Sequence, residues 1–160
     1  LDQHAELDLA LDGADEVDPH LDLLKGLGGA LLREKIVAAA SRRLVILIEA
    51  SKLVSRLGTR APLPVEVVPF GWKSHLRALE GFGGAPRLRE TGAGEPYITD
   101  EGNYILDCRF EGIPRPRELE QALLTRAGIV GTGLFLGMAA QAIVGTPDGV
   151  ELLAPAPRPA

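Results

Sequence analysis

The sequence predicts an α/β fold in which a parallel-sheet domain carries an inserted α+β lobe. The first observation is a strand, a helix and a second strand at 7–11, 30–42 and 44–48. Two strands joined in this way by a helix lie parallel, with a right-handed crossover. The second observation is a change of pattern after Gly58, where the predicted elements roughly follow the order β-α-β-β-α-β, with a further short strand between the two helices. The chain is therefore expected to leave the first domain, build a small lobe and return.

The elements of the first domain are indicated by their apolar residues. The segment 7–11 is rich in leucine and is typical of a buried strand, while 44–48 is a continuous apolar run that would be buried on both faces of a sheet. Glycines within 26–29 form a turn before the helix at 30–42. Apolar residues on one face of that helix would pack against the sheet.

The inserted lobe is predicted from short elements separated by proline- and glycine-rich turns. In chain order these elements are a strand at 65–68, a helix at 72–81, strands at 87–89, 97–99 and 104–110, a helix at 116–125 and a strand at 129–135.

The domain boundaries follow from these elements. The first domain takes 1–60 and 136–153, and the small lobe takes 61–135. The strand at 142–144 returns the chain to the first sheet, and a final hairpin closes the domain. Residues 154–160 are predicted to be a disordered tail, because a stretch with proline at alternate positions neither packs nor pairs well.

Composition narrows the classes of function. The chain has 160 residues, of which 46% are hydrophobic, so a packed core is expected. The net charge of −5 argues against a nucleic-acid partner, which requires a basic face. No apolar run reaches the roughly 18 residues of a membrane span, so no membrane partner is expected. Cys108 is the sole cysteine, which excludes an internal disulfide and favours the reducing cytoplasm.

Two aspartates follow the first strand, at the sheet edge where α/β folds bind ligands. Asp12 and Asp15 have a structural interpretation, because aspartate often forms turns and caps helices. They also have a chemical one, since carboxylates bind sugar hydroxyls and move protons. Neither the acidic spacing nor the histidine spacing fits a metal site, so no metal is expected. Other polar residues are predicted to lie on the surface, namely Asp18, Asp22, His4, His20 and His75.

A lysine and a glycine-rich turn come next. Lys25 and the glycines of 26–29 only loosely resemble a phosphate loop, because the lysine precedes the glycines. Such a turn can serve close packing alone, but it also leaves backbone N–H groups at the positive end of a helix. Lys25 and Lys52 could add positive charge for an oxyanion. Glu34 is either a solvated helix residue or, if it faces the strand ends, a general base. A small polar or anionic substrate is therefore expected.

Several longer motifs occur in order along the chain. They are Asp12-Gly-Ala-Asp-Glu16, Lys25-Gly-Leu-Gly-Gly-Ala-Leu-Leu-Arg-Glu-Lys-Ile-Val37, Ala50-Ser-Lys52, Pro62-Leu-Pro-Val-Glu-Val-Val-Pro69, Thr99-Asp-Glu-Gly-Asn103, Ile105-Leu-Asp-Cys108 and Gly133-Leu-Phe135. Together they resemble the ribose-5-phosphate isomerase A family. The resemblance implies a Rossmann-like domain joined to a ferredoxin-like lobe, and the interconversion of ribose 5-phosphate and ribulose 5-phosphate in the pentose phosphate pathway. It also implies that the protein uses no cofactor or metal and forms a homodimer or homotetramer.

The resemblance also assigns roles to individual residues. Glu34 matches the catalytic glutamate, which would move a proton between C1 and C2 of the sugar through an enediolate. Asp12 and Asp15 match the acidic pair that holds the sugar hydroxyls or assists ring opening, and Lys25 matches the lysine that steadies the developing oxyanion. The residues implied to bind substrate are Asp12, Gly13, Ala14, Asp15, Lys25, Gly26, Leu27, Gly28 and Lys52.

One departure from the family pattern matters most. Members of the family begin with a βα unit and a phosphate-binding loop of the Thr-Gly-Ser-Thr type, which nothing in this sequence matches. We therefore expect the sequence to be a fragment of a longer isomerase that binds substrate poorly by itself. Two other functions stay open at this stage. One is a non-catalytic module that senses sugar phosphates on the same scaffold, and the other is a CoA-transferase-like enzyme, for which no CoA pocket is visible.

Overall fold

Three sheets and three α-helices organise residues 1–157, the part of the chain that the computed structural model describes. In chain order the elements are β1 (Ala10–Asp12), β2 (Glu16–Val17), β3 (Leu23–Leu24), α1 (Leu31–Ala39), β4 (Leu44–Glu49), a 3-10 turn (Ala50–Lys52), β5 (Leu63–Val67), α2 (Ser74–Gly81), β6 (Ala85–Leu88), β7 (Tyr104–Arg109), α3 (Pro116–Leu124), β8 (Ile129–Thr132), β9 (Leu134–Phe135), β10 (Ala139–Thr146) and β11 (Gly149–Leu153).

The first sheet has the strand order β1–β4–β10–β11. Strands β1, β4 and β10 are parallel, and β11 closes an antiparallel hairpin with β10. The predicted parallel pairing across α1 is therefore confirmed. One face of this sheet packs through Ile46 against Ala38 of α1 and Phe135 of β9. Helix α1 ends before the expected boundary at 42, because Ser41 already pairs with Leu7 beside the sheet.

The second sheet belongs to the small lobe and has the strand order β6–β7–β5–β8, with every neighbouring pair antiparallel. Its elements follow the order βαββαβ along the chain. This is the ferredoxin-like arrangement, so the predicted fold class is confirmed. The two helices of the lobe bury Leu79 and Leu123 against Leu63, Val65 and Leu106 of the sheet.

A third, small sheet formed by β2, β3 and β9 lies between the two lobes and was not predicted. The segment 129–135, expected to be one strand, divides at Gly133 into β8 and β9, which join different sheets. Backbone hydrogen bonds of Gly133 explain this division. Gly133 donates its N–H to the Pro64 carbonyl of the small lobe and accepts the N–H of Lys25, both at 2.8 Å. Gly133 therefore ties the small lobe directly to the loop that begins at Lys25.

The segment 97–99, expected to be a strand, lies outside the ladders of the second sheet. The N–H of Tyr97 donates to the Arg89 carbonyl at 2.9 Å, and side chains hold the rest of the segment. The hydroxyl of Thr99 and the side-chain amide of Asn103 donate to the same oxygen of Glu66, at 2.9 and 3.0 Å. Glu66 is fully buried in β5. The prediction was wrong here because the turn at 99–103 bonds to this buried carboxylate rather than to a neighbouring strand.

Part of the segment expected to be a disordered tail makes contacts in the structure. The N–H of Ala156 donates to the Pro19 carbonyl at 2.9 Å, and Nδ1 of His20 lies 3.2 Å from the Ala156 carbonyl oxygen. Residues 158–160 of that expected tail lie outside the described part of the chain. Over residues 1–157, no helix is both long enough and apolar enough to cross a membrane.

Candidate active site

Three elements bring the predicted charged residues to one place at the carboxyl end of β1. Asp12 is the last residue of β1, Lys25 directly follows β3, and Glu34 lies in the first turn of α1. A carboxylate in the first turn of a helix is favoured by the helix dipole. The backbone N–H of Lys25 is held by the carbonyl of Gly133, so the lysine is fixed from both lobes.

The ammonium group of Lys25 is the centre of the site. Its Nζ lies 3.0 Å from Asp12 Oδ2 and 3.2 Å from Glu34 Oε2, and it donates to the Gly13 carbonyl at 2.6 Å. Lys25 is only 4% exposed, whereas the side chains of Asp12 and Glu34 are each 31% exposed. No hydrogen bond from residues 1–157 reaches Glu34 Oε2, so Lys25 meets it as an ion pair. A desolvated cation thus faces two carboxylates that remain open to a ligand.

These groups surround a cavity of about 250 Å³. Almost all of the predicted site residues line it, namely Asp12, Gly13, Ala14, Asp15, Lys25, Gly26, Gly28 and Glu34. A larger cavity of about 1010 Å³ lies in the small lobe beside the start of α3, and no predicted site residue lines it. The smaller cavity is the candidate active site, because the buried lysine and its carboxylates converge there.

The glycine loop, defined as residues 25–30, forms one wall of this cavity. Oδ2 of Asp15 accepts the N–H of Leu27 at 3.0 Å, and the Gly26 carbonyl accepts the N–H of Gly29 at 3.0 Å. Gly26 and Gly29 have positive φ angles of 106° and 90°, which favour glycine. A Cβ on Gly29 would overlap the ring of Tyr97, so the small lobe packs directly against the loop.

Two predicted binding residues do not line the cavity. Lys52 is half-buried at the end of the 3-10 turn that follows β4. The side chain of Leu27 is exposed, although its N–H reaches Asp15. A contact between Lys52 and substrate therefore stays a prediction.

Helix α1, which carries Glu34, is fixed on both sides by cations. Lys35 donates to the Leu134 carbonyl at 2.6 Å and to Glu120 at 3.0 Å. Its Nζ also lies 4.9 Å from the centre of the Phe135 ring. Burial lowers the pKa of Lys35, and the carboxylate of Glu120 opposes that shift. No sequence pattern predicted these contacts of Lys35.

On the other side of α1, Arg33 reaches the turn at 99–103 of the small lobe. Its guanidinium lies 2.8 Å from Asp100 and 2.5 Å from Glu101. Both lobes therefore determine where the first turn of α1, and with it Glu34, is placed.

Sequence reasoning missed one buried carboxylate beside the site. Glu16 is completely buried, and its oxygens accept the N–H groups of Gly58, Arg60 and Ala61 at 2.5, 2.6 and 2.7 Å. These residues belong to the segment that leads into the small lobe. Nothing in the sequence distinguishes Glu16 from its neighbour Asp15, because the difference arises only when the distant segment packs over it.

Two residues expected on the surface are buried, so these predictions were wrong. Asp22 is 1% exposed and accepts the N–H of Gly137 at 2.7 Å, on the segment that returns from the small lobe. His75 is 3% exposed in α2, and burial together with the nearby charge of Arg126 lowers its pKa. Both residues are covered by segments that are distant in the sequence.

Comparison with known families gives this site its chemical context. A model of ribose 5-phosphate isomerase A (phosphoriboisomerase A) matches residues 1–149. The chain belongs to this family. The ribose-5-phosphate isomerase A of Roseiflexus castenholzii is 58% identical over 156 residues, which cover 97% of this chain and 67% of that protein. The relative from Gloeobacter violaceus is 54% identical over 160 residues, covering 99% of this chain and 69% of that protein.

Solved structures agree with the sequence relatives. A D-ribose-5-phosphate isomerase in complex with phospho-erythronic acid has a TM-score of 0.92 and 41% identity, covering 96% of this chain and 68% of that one. The enzyme from Methanocaldococcus jannaschii has a TM-score of 0.90 and 39% identity, with the same coverage. The chain thus spans about two thirds of the length of the relatives it matches.

The family comparison also decides between the functions left open by the sequence. Ribose 5-phosphate isomerase A is an aldose–ketose isomerase, and a sugar phosphate substrate fits the family. The sensing module is not favoured, since the relatives above are all named as isomerases.

Proposed function

We propose that the cavity around Lys25 interconverts ribose 5-phosphate and ribulose 5-phosphate, with Glu34 as the group that moves the proton. The single observation that supports this proposal is the buried Lys25 ammonium, which lies 3.0 Å from Asp12 and 3.2 Å from Glu34 at the cavity wall. A general base must lie beside the reacting carbon, and an oxyanion must meet a positive charge. The two requirements are met within one ion-pair network.

The reaction can be written with these two groups. In the open-chain aldose, the Glu34 carboxylate takes the proton from C2, and the electrons of that C–H bond form the C1–C2 double bond of an enediolate. The oxygen on C1 gains negative charge, which Lys25 stabilises. Glu34 then returns the proton to C1, and the hydroxyl proton of O2 passes to O1, which gives the ketose. No external oxidant or reductant is needed, because C1 is reduced from an aldehyde to an alcohol while C2 is oxidised from an alcohol to a ketone within one molecule.

Asp12 and Asp15 are proposed to hold the sugar and to assist ring opening. Oδ1 of Asp12 accepts the N–H of Gly13 at 2.7 Å, and Oδ2 of Asp15 accepts the N–H of Leu27 at 3.0 Å. These backbone contacts fix both carboxylates while leaving lone pairs for hydroxyl groups. Both side chains line the cavity and are only partly buried, which supports contact with a ligand.

Four further expectations remain proposals of the same kind. Lys52 would contact the substrate, and the protein would be a cytoplasmic homodimer or homotetramer. We also keep the division into one domain of 1–60 and 136–153 and a second domain of 61–135. Its support is that β8 is the last strand, along the chain, of the small-lobe sheet.

The experiment is turnover of ribose 5-phosphate by this chain joined to the βα unit and phosphate-binding loop that the resemblance implies, and by its Glu34→Gln variant, with binding of phospho-erythronic acid measured in parallel. Glu34→Gln keeps the shape of the side chain but cannot accept the C2 proton, so kcat should fall about 10³-fold. The matched control is Glu80→Gln, an exposed glutamate on α2 that lies outside the cavity lining.

Three results would separate the outcomes of this experiment. Retention of binding with loss of turnover in Glu34→Gln alone supports the proposal. Turnover within about tenfold of the unsubstituted chain would exclude Glu34 as the main base. Binding without turnover in the unsubstituted chain would favour a sensing module instead.

A further inference from the structure

Arg89, which directly follows β6 in the small lobe, reaches the glycine loop of the candidate active site. One of its terminal nitrogens donates to the Gly26 carbonyl at 2.9 Å and to the Leu27 carbonyl at 3.1 Å. The other edge of the guanidinium binds both oxygens of Asp107 on β7, at 2.8 and 2.5 Å. The Arg89 side chain is only 12% exposed. A planar guanidinium held on one edge by a carboxylate presents its remaining donors in a fixed direction.

The first contact determines the orientation of the peptide between Gly26 and Leu27. The C=O and N–H of a trans peptide lie in one plane and point in opposite directions. Arg89 binds the oxygen of this peptide, and Asp15 accepts its N–H at 3.0 Å. The peptide is thus held between a small-lobe cation and a carboxylate of the site, so that turning it would break both bonds.

The contact of Arg89 with the Leu27 carbonyl determines the orientation of the next peptide, between Leu27 and Gly28, in the same way. With the Leu27 carbonyl bound to Arg89, the N–H of Gly28 points away from the small lobe. Gly28 lines the cavity, and a Cβ built on it would meet no atom within 4 Å. Among the contacts of residues 1–157, no acceptor for this N–H is found. The open space and the unused donor leave room for a substrate oxygen beside Gly28.

We propose that Arg89, held by Asp107, is a positioning residue that orients the glycine loop for substrate binding. It keeps the N–H of Leu27 on Asp15 and presents the N–H of Gly28 to a sugar hydroxyl or oxyanion in the cavity. Arg89 touches no reacting atom and acts through the loop. The ligand chemistry rests on the proposed function, whereas the role of Arg89 in the loop rests on the contacts above.

Other contacts between the lobes indicate that Arg89 is not needed merely to hold the lobes together. The lobes remain joined without it, because the remaining contacts lie elsewhere along the interface. These contacts are Gly133 with Pro64 and Lys25, Arg33 with Asp100 and Glu101, Lys35 with Glu120, and Glu16 with Gly58, Arg60 and Ala61. Among the inter-lobe hydrogen bonds of residues 1–157, only those of Arg89 end on the carbonyls of Gly26 and Leu27, so its loss should affect this part of the loop first.

The test compares Arg89→Lys with Arg87→Lys in the same extended protein that is used for the turnover of ribose 5-phosphate. A lysine at 89 can keep the charge beside Asp107 but cannot bind Asp107 and two carbonyls at once. Arg87 lies on β6 opposite Asp107 and is exposed, and its side chain makes no hydrogen bond or ion pair among the described residues, so it is a matched control. Asp107→Asn provides a second variant with the arginine retained but its anchor weakened.

Four quantities are measured for each variant: thermal unfolding, hydrogen exchange of the amides of 26–29, binding of phospho-erythronic acid, and kcat with KM for ribose 5-phosphate. In the unsubstituted chain the ligand should protect the Gly28 amide from exchange. Arg89→Lys should exchange faster at Leu27 without ligand, bind about tenfold more weakly and raise KM about tenfold, with kcat nearly unchanged. Asp107→Asn should show a smaller change in the same direction, and Arg87→Lys none.

Several results would overturn the proposal. One is unchanged binding by an Arg89→Lys chain that exchanges faster, because the arginine would then be purely structural. Another is weaker binding with unchanged exchange at Leu27, which would show that Arg89 acts by another route. A ligand that leaves the Gly28 amide unprotected in the unsubstituted chain would also overturn it.

If the chain binds the ligand as expected but does not isomerise ribose 5-phosphate, the proposed function fails while the positioning role stands. If Arg89→Lys does not fold, Asp107→Asn decides by the same criteria.

Discussion

Glu16 and Glu34 are glutamates of the same domain whose carboxylates have different partners. Backbone N–H groups surround the first, and a lysine ammonium lies beside the second. Glu16 is fully buried, and its oxygens accept three backbone N–H groups from the segment 58–61. Glu34 is 31% exposed, lines the cavity, and has Lys25 Nζ at 3.2 Å as its charged partner. Glu16 thus holds two segments of the fold together, whereas Glu34 faces the cavity of the candidate active site.

The difference shows how the protein separates structural from chemical carboxylates within one short stretch of sequence. Backbone N–H groups hold the charge of Glu16 in place, and none of its oxygens faces the cavity. Asp22 has a related structural role, because it holds Gly137 on the segment that returns from the small lobe. Asp12 and Glu34 share one lysine and leave lone pairs toward the cavity. The partners of a carboxylate therefore decide its role more than its position in the sequence does.

The comparison predicts the largest loss of stability for Glu16→Gln. The amide group places a donor against backbone N–H donors and removes the charge from three hydrogen bonds. The free energy of unfolding should fall by about 2–4 kcal/mol, measured by urea denaturation. Glu80→Gln is the control, since Glu80 is exposed. A loss below about 0.5 kcal/mol would mean that the Glu16 contacts contribute little to the fold.

A smaller loss is expected for Gly133→Ala. A Cβ at this position would overlap the Lys25 carbonyl oxygen and lie 2.7 Å from Pro64 Cδ. The backbone must shift, which should cost about 1–3 kcal/mol and lower turnover, because Lys25 moves with it.

Gly28→Ala is the matched control for this substitution, since a Cβ there meets no atom within 4 Å. Its free energy of unfolding should stay near that of the unsubstituted chain. Equal losses in the two variants would show that the junction at Gly133 is not specially constrained. Turnover is compared only for Gly133→Ala, because Gly28 lines the cavity.

The smallest effect concerns the reactivity of Cys108, which reports on opening of the small-lobe core. Burial and the neighbouring charge of Asp107 raise the pKa of this thiol to about 12, so it stays protonated at pH 8. Iodoacetamide should therefore label the native chain about 10³-fold more slowly than the unfolded chain. Glu16→Gln should speed the labelling of the native state, and Glu34→Gln should not. Rapid labelling of the unsubstituted native chain would contradict the buried position of Cys108.

Local sequence patterns predicted the fold class and most elements well. The run at 44–48 and the glycine turn before α1 carry their own signals, and the βαββαβ order is visible from short segments. The cluster of Asp12, Lys25 and Glu34 was expected from strand ends and from the resemblance to the isomerase family. These features could be predicted because each is encoded by residues that are neighbours in the sequence or by a motif of consecutive residues.

Other features depend on segments that are distant in sequence, and these were missed. The split of 129–135 at Gly133 depends on Pro64 and Lys25, which lie far from it along the chain. The burial of Glu16 and Asp22 depends on the segments that enter and leave the small lobe. No local pattern records such packing, because it is determined by how the two lobes meet.

The most direct test measures kcat for ribose 5-phosphate and the free energy of unfolding for Glu34→Gln and Glu16→Gln side by side. Glu34→Gln should lose about 10³-fold in kcat and less than about 1 kcal/mol in stability. Glu16→Gln should lose about 2–4 kcal/mol in stability, with kcat of the folded fraction reduced much less. Equal effects of the two substitutions on both quantities would contradict the division between structural and chemical carboxylates.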